Sequence, residues 1–175
     1  MTLIESKTLG TAQASIEFTS IPQTFTDLVA VCSIRTNRAA NEDQVQIAIN
    51  GVTTNQNSRE LFGTGSGVGT GTTALIFFYA AAANATSNTF GNGAVYIPNY
   101  TGSTNKSFSM DSVGENNATA AYQHIGAGLW SQTTAISSLR FEPRPALGGT
   151  QLLAGSIISL YGILKGSDGI VTTSP

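Results

Sequence analysis

Hydrophobic and polar residues alternate with a period of two along much of this chain, and that period is the spacing of half-buried β-strands. The alternation is clearest at Ile16 and Phe18 and again at Val45, Ile47 and Ile49. Pro, Gly, Asn and Ser separate the alternating segments, as expected of turns between strands. We predict strands at residues 14–19, 26–35, 44–50, 59–62, 73–82, 94–98, 106–113, 122–131, 136–141 and 156–164.

Turn chemistry predicts how some of these strands are connected. Asn50 and Gly51 supply the two positive φ values of a type I′ hairpin turn, and we expect residues 59–62 to pair back after it. Residues 63–73 are rich in glycine, which predicts a mobile loop. Glycines also lie inside the segment 122–131, where they indicate a bulge or the close approach of another segment.

These patterns predict an all-β fold with a single domain that spans residues 1–175. No segment shows a convincing amphipathic helical period, and the chain has no internal repeat. Residues 26–35 and 156–164 are apolar at both alternating positions, so we expect such strands to be covered on both faces or to lie centrally. We predict an antiparallel two-sheet β-sandwich. A jelly roll is favoured over an immunoglobulin topology, because the cysteine and tryptophan spacing of the latter is missing.

The low charge of the chain argues against a nucleic-acid partner. Charged residues make up 10% of the sequence and the net charge is −2. A surface that binds nucleic acid needs clustered Lys and Arg to neutralise phosphates. Arg35, Arg38 and Arg59 are instead predicted to be separate, solvated charges in loops and at strand ends. We therefore expect no nucleic acid among the partners.

The sequence also argues against export and membrane insertion. The first residues contain neither a basic segment nor a long apolar stretch, which predicts no secretory signal and synthesis in the cytoplasm. The most apolar run, residues 74–83, is about half as long as a transmembrane helix needs to be, so we predict a buried strand and no membrane partner. Cys32 is the only cysteine, which excludes an internal disulfide, and its apolar strand predicts a buried, inert thiol.

Candidate catalytic and metal-binding residues are few. His124 is the only histidine and no Gly-x-Ser-x-Gly motif is present, so a hydrogen-bonded or exposed strand histidine is favoured over a catalytic base. One His and one Cys cannot form a zinc site, and the acidic segments 42–43 and 115–117 are predicted to be solvated turns. Residues 63–71 lack the lysine and the glycine spacing of phosphate-binding loops. We predict no catalytic residue, no metal and no cofactor, and thus a protein that is not an enzyme.

Three aromatic residues are the candidate contacts to a glycan or to a protein partner. Tyr96, Tyr100 and Trp130 offer rings on which sugar rings stack, a use that suits an adhesin. The alternative interpretation is core packing for Trp130 and a turn position for Tyr100, and this alternative is favoured.

Three stretches resemble a module found in virion proteins of tailed bacteriophages, often phages of aquatic bacteria. They are residues 18–28 (FTSIPQTFTDL), residues 95–103 (VYIPNYTGS) and residues 107–130, which include DSVGENN at residues 111–117. The order and spacing of these stretches cover nearly the whole chain. Each motif alone is a strand with a turn, so the resemblance rests on the three together.

The resemblance implies a non-catalytic β-sandwich that assembles with phage proteins. In that family the module occurs in head-decorating proteins and in tail-fibre or receptor-binding proteins. The module begins within a few residues of Met1 and ends near Pro175, which favours a capsid decoration or cement protein over a fibre tip. The implied partner is the major capsid protein, whose subunits it would bridge and stabilise at the virion surface, and the implied assembly is a homotrimer. The alternative is a receptor-binding head or tail-fibre adhesin for a host surface glycan.

Overall fold

The computed structural model describes residues 1–117 and 120–164, and these residues form β-strands, one 3₁₀ turn and connecting loops. No α-helix occurs among them, in agreement with the missing helical period. The strands are β1 (Thr2–Thr8), β2 (Ile16–Phe18), β3 (Asp27–Ile34), β4 (Glu42–Ile49), β5 (Gln56–Gly63), β6 (Val68–Thr73), β7 (Phe77–Ala81), β8 (Gly91–Ile97), β9 (Lys106–Glu115), β10 (Ala121–Trp130), β11 (Leu139–Pro143) and β12 (Ile157–Ile163), and the 3₁₀ turn is Pro145–Leu147.

The strands form two antiparallel sheets of unequal size. Eight strands form the large sheet in the order β1-β12-β3-β8-β9-β10-β5-β6, and four form the small sheet in the order β2-β11-β4-β7. The small sheet packs on the inner face of the large sheet, which confirms the predicted all-β sandwich. The jelly-roll topology is not confirmed, because a jelly roll divides eight strands between two sheets and here eight strands belong to one.

The hydrophobic core lies between the two sheets and follows the alternation along the strands. On β8, Val95 is fully buried, whereas Tyr96 beside it faces outward, as predicted. The ring of Phe141 on the small sheet meets those of Phe18 and Phe78 at centroid distances of 6.2 and 6.4 Å, in edge-to-face geometry. Such ring pairs stabilise a core beyond the effect of area burial alone.

The two strands that are apolar at both alternating positions lie inside the large sheet but are covered on one face only. β3 lies between β12 and β8, and β12 lies between β1 and β3. Val31 of β3 is 46% exposed and Ile157 of β12 is 37% exposed. The expected interior position is therefore confirmed, and cover on both faces is wrong.

The Asn50-Gly51 turn forms as predicted, but the segment after it does not pair back. Asn50 and Gly51 have φ values of 50° and 82°, and Ile49 and Val52 exchange hydrogen bonds of 2.8 and 3.1 Å. The chain then leaves the small sheet, and β5 pairs with β10 and β6 in the large sheet. The predicted return of residues 59–62 to the preceding strand is wrong, because a turn sets the local hairpin and not the sheet to which the next strand belongs.

A buried glutamine holds the crossing between the sheets. The amide of Gln56, at the start of β5, donates to the carbonyl of Ile47 at 2.8 Å and accepts from the N–H of Ile76 at 2.9 Å. Both bonds are buried, so removal of the amide would leave two backbone groups unpaired in a low-dielectric environment. Gln56 thereby fixes where β5 enters the large sheet.

The glycine-rich segment that was predicted to be a mobile loop is the edge strand β6. Residues 64–67 form a tight turn, and β6 pairs with β5 in a continuous register. Gly69 and Gly71 face the side chains of Phe62 and Glu60, whose atoms lie 2.5 and 2.2 Å from the positions that a Cβ would take. The glycines therefore let the side chains of Phe62 and Glu60 pack directly against the backbone of β6.

The glycines inside β10 also mark close approach, which was one of the two predicted readings. The register of β10 with both neighbouring strands is continuous, so the strand has no bulge. A Cβ at Gly126 would lie 2.9 Å from the Cε atom of Met110, and one at Gly128 would lie 3.0 Å from Ile76. The inner space under β10 is thus already filled by side chains of other segments.

Arg35 is buried, which corrects its predicted position as a solvated charge. Its residue exposure is 8%, and the guanidinium donates to four carbonyls of the loop between β7 and β8. The acceptors are Ala83 at 3.1 Å, Ala85 at 2.9 Å, Thr86 at 2.6 Å and Thr89 at 2.8 Å. The guanidinium carries five N–H donors in a rigid, planar arrangement, so it can donate to several carbonyls at once. These bonds hold the loop in one conformation.

The acidic segments that were predicted to be solvated turns are also engaged by the fold. Glu115 accepts from the N–H of Thr86 at 2.5 Å and from the hydroxyl of Thr89 at 3.1 Å. Asp43 is fully buried, and burial raises the pKa of its carboxyl group even though Arg38 lies 3.8 Å away. The prediction is wrong for Asp43, which the fold buries, whereas Glu115 and Asn117 keep solvent access and their hydrogen bonds lie at the surface.

We predict that Gly91→Ala destabilises the sandwich where β8 meets β7. A Cβ at Gly91 would lie 2.7 Å from the backbone nitrogen of Ala81. Because backbone cannot yield as a side-chain tip can, the free energy of unfolding in a urea titration should fall by about 1–3 kcal/mol. The control is Gly114→Ala, where no atom lies within 4 Å and the change should stay within about 0.5 kcal/mol. Equal effects of the two substitutions would contradict this packing.

Candidate functional site

The outer face of the large sheet is uncovered by any described residue, and exposed hydrophobic side chains are concentrated on it. Across residues 1–117 and 120–164, eleven large hydrophobic residues are exposed, and eight of them lie on this face. Their exposed fractions range from 37% to 94%. They are Leu3, Val31, Leu61, Val68, Tyr96, Ile125, Leu129 and Ile157.

The usual pattern of apolar residues inside and polar residues outside is inverted on two strands of this face. On β10, His124 and Gly126 point inward, whereas Ile125 and Leu129 point outward and are 50% and 43% exposed. On β5, Leu61 points outward and is 60% exposed, while the inward positions before it, Gln56, Ser58 and Glu60, are polar and Phe62 is the apolar inward residue after it. Since exposure of apolar surface is unfavourable, this inversion makes this part of the face the candidate contact surface.

Two shallow depressions lie side by side on the inverted part of the face. Their volumes are about 530 and 550 Å³, and Leu61, Thr70 and Ile125 line both. One depression extends to Val68 on β6 and the other to Arg59 on β5. Most of this surface is apolar, although Arg59, Thr70 and Gln123 also line it, so it suits apolar side chains of another protein better than a polar ligand.

The remainder of the outer face is mostly small and neutral. Arg59 and Asp111 add one charge of each sign, and Arg59 donates to the hydroxyl of Thr72 at 2.9 Å. Because most side chains here are small, the surface is nearly flat and a partner can approach the sheet closely. The small residues are Ser33, Thr70, Thr72, Ala94, Ser107, Ser109, Ala127 and Ser159.

The three aromatic residues predicted as contacts are not brought together. Tyr100 is fully buried and its hydroxyl donates to the carbonyl of Pro22. Trp130 is 2% exposed and faces inward. Tyr96 alone reaches the outer face, 37% exposed, and its hydroxyl donates to Asp27 at 2.9 Å. The favoured alternative therefore agrees with the structure, since Trp130 packs in the core and Tyr100 lies in a turn, where it is also buried. Neither ring is a candidate contact, because a ring without solvent access cannot stack on a sugar.

His124 and Glu60 form a buried pair on the inner side of the same strands. Nε2 of His124 lies 3.0 Å from Oε2 of Glu60, but the two atoms are not aligned as a hydrogen bond. The imidazole is 2% exposed and packs against Phe77 and Tyr79 at ring-centroid distances of 5.5 and 4.9 Å. The prediction of a hydrogen-bonded or exposed histidine is therefore wrong, since the aromatic rings bury it.

Burial determines the protonation of this pair. It lowers the pKa of His124 to about 4, so the imidazole is neutral at pH 7. It raises the pKa of the Glu60 carboxyl, and Arg144 offsets part of that rise. The cavity beside His124 has a volume of about 10 Å³, which is space for about one water molecule and not for a substrate. The geometry thus makes the pair part of the packing under β10 and β5.

Other buried polar groups are enclosed as well. Lys106 is 1% exposed and donates to the carbonyl of Thr104 at 2.5 Å, while burial lowers its pKa. Cys32 is 2% exposed and burial raises the pKa of its thiol, which confirms the predicted buried thiol. In the part of the chain that the structure describes, no three His, Cys, Asp or Glu side chains are grouped as metal ligands would be, and no helix has the length and apolarity to cross a membrane.

Comparisons of the chain with protein-family models, with curated proteins and with solved structures found no match. The phage-module resemblance therefore stays a prediction. The features of the molecule that bear on function are its fold and the outer face of the large sheet.

We predict that stability depends on pH through His124. A histidine with a lowered folded-state pKa binds protons more weakly when folded, so its contribution to stability falls as the pH drops from about 6.5 towards 4. Because no other histidine is present, His124→Phe removes the histidine titration, while the Glu60 carboxyl is present in both proteins. At pH 5.5 relative to pH 7.5, the wild type should lose about 1 kcal/mol of unfolding free energy more than the variant in urea titrations. Parallel pH curves would contradict the assigned burial.

Proposed function

We propose that this protein is a virion structural protein, a capsid decoration or cement protein that bridges subunits of the major capsid protein. The contact would be made by the outer face of the large sheet, on which eight exposed large hydrophobic residues are concentrated. That concentration is the observation that carries the proposal, because large hydrophobic side chains grouped on one exposed face commonly mark a protein–protein contact. In this role the protein performs no catalysis and needs no cofactor.

The size of the face supports a stable contact. Eight strands spaced about 4.8 Å apart span about 34 Å, and seven residues along a strand span about 23 Å. The resulting area of about 800 Å² equals the share that one partner contributes to a standard protein interface. A flat, neutral surface of this extent suits a repeating protein lattice, where contact area and shape matter more than charge.

The resemblance supplies the identity of the partner. It implies the major capsid protein and a position at the capsid surface, and these two expectations are part of the proposal. The homotrimer that it also implies is a separate expectation, which the mass of the protein in solution tests. The glycan-binding alternative has no specific support in the geometry. Tyr96 is the exposed member of the three candidate aromatics, and none of the three lines the depressions.

We predict that the double substitution Leu61→Glu with Ile125→Glu weakens binding to phage heads by about tenfold or more. Two carboxylates in a buried apolar contact must lose their hydration without gaining partners, so the complex is destabilised. The measurement is cosedimentation with heads that lack the protein, prepared from the phage that encodes the chain. Circular dichroism and thermal unfolding check that the variant is folded.

The matched control for this experiment is Val52→Glu. Val52 is 44% exposed but belongs to the hairpin turn after β4, away from the outer face of the large sheet. This variant should bind heads as the wild type does. Equal binding by all three proteins, or density for the protein on the tail alone in a particle reconstruction, would contradict the proposal.

A further inference from the structure

The two edges of the large sheet differ in their protection against pairing with another strand. At one edge, β1 has a bulge between Leu3 and Glu5 and an ion pair of 3.4 Å between Glu5 and Lys7. Bulges and charges are the devices that normally keep an edge strand unpaired. At the other edge, β6 has the sequence VGTGTT, with no charge, no proline and no bulge. Within residues 1–117 and 120–164, no strand pairs with the second side of β6.

The backbone of β6 presents hydrogen-bonding groups to this open side. The N–H of Thr64 donates to the carbonyl of Gly67 at 2.9 Å, so these two residues form a hydrogen-bonded pair of the β5–β6 hairpin. Bonded and non-bonded pairs alternate in an antiparallel ladder, and Gly69 and Gly71 therefore bond to β5. The N–H and C=O groups that point away from β5 belong to Val68, Thr70 and Thr72.

The side chains of β6 match an antiparallel copy of the same strand. With a twofold axis at Thr70, each Thr70 lies opposite the Thr70 of the second copy, and Val68 lies opposite Thr72. Gly69 then lies opposite Gly71, so β-branched residues meet β-branched residues and glycine meets glycine. β-branched cross-strand pairs stabilise antiparallel sheets, and each pair whose backbone groups point outward exchanges two hydrogen bonds.

We infer that β6 is a self-association edge, through which two copies of this chain pair antiparallel about a twofold axis at Thr70. The two large sheets become one continuous sheet, and the contact is isologous, as in most homodimers. No charged residue lies on β6, so the pairing places no like charges in adjacent positions.

The pairing also joins the two outer faces. Leu61 and Ile125 share a cross-strand row with Thr70, so the depressions of the two copies lie on either side of the axis. A single ladder of this length buries less than a standard interface, so the dimer should dissociate on dilution. This twofold contact does not depend on the capsid proposal, and it differs from the homotrimer that the resemblance implies.

Sedimentation velocity of the full chain over a concentration series tests the inference. The wild type should show a reversible monomer–dimer equilibrium. Thr70→Pro removes an outward N–H and leaves the ladder to β5 intact, so the dissociation constant should rise by about tenfold or more. Thr70→Val keeps the backbone and the β-branch, and its dissociation constant should stay within about threefold of the wild-type value.

Disulfide cross-linking provides a second measurement that does not need a proline in the strand. The Cα atoms of a bonded antiparallel pair lie about 5.5 Å apart, within the range of a disulfide, so Thr70→Cys should give a covalent dimer under mild oxidation. Thr8→Cys, on the protected edge strand β1, is the matched control and should stay monomeric. Cys32 is buried and does not compete.

Two results would overturn the inference. One is a wild type that is monomeric at every concentration together with no cross-linking of Thr70→Cys. The other is a trimer whose mass and stability are unaffected by Thr70→Pro, which would leave the capsid proposal standing. Failure of the wild-type protein to bind heads, with an intact dimer, would instead count against the capsid proposal alone.

Discussion

An eight-stranded sheet has about twice the face area that a four-stranded sheet can cover, and this mismatch shapes the rest of the structure. The small sheet covers part of the inner face of the large one, and residues of the connections, among them Ile21, Tyr100 and Leu152, complete the core. No second layer of described residues covers the outer face, so its residues determine what the protein can contact. In a two-layer sandwich the outward positions are normally polar, so the apolar residues of this outer face are the ones that a partner would bury.

The inverted strands β10 and β5 show how the fold accepts apolar residues outside. Phe108 and Met110 fill the space beneath β10, which leaves room there for glycine but not for Ile125 or Leu129. A shift of register by one residue would bury the isoleucine and leucine but would place them where atoms already lie. The outward position of these two residues is therefore fixed by the packing of their neighbours.

The sequence predicted local features well and long-range ones poorly. Alternation located most strands, and the Asn50-Gly51 pair located its turn, because both depend on adjacent residues. The sheet to which β5 belongs depends on Gln56 and its distant partners, and the burial of Arg35 depends on a loop about fifty residues away. The strand β6 was missed because glycine composition indicates mobility and close packing equally. The sequence of β10 does indicate the apolar outer face, because the residues at its outward positions are more hydrophobic than those at its inward positions.

The central claim is that the outer face of the large sheet is the surface that meets the partner. Oxidative footprinting of side chains, on the free protein and on the protein bound to phage heads, tests this most directly. Binding should protect Leu61, Ile125 and Leu129 from oxidation and leave Val52 as reactive as before. Protection of Val52 with unchanged oxidation at the three outer-face residues would contradict the account.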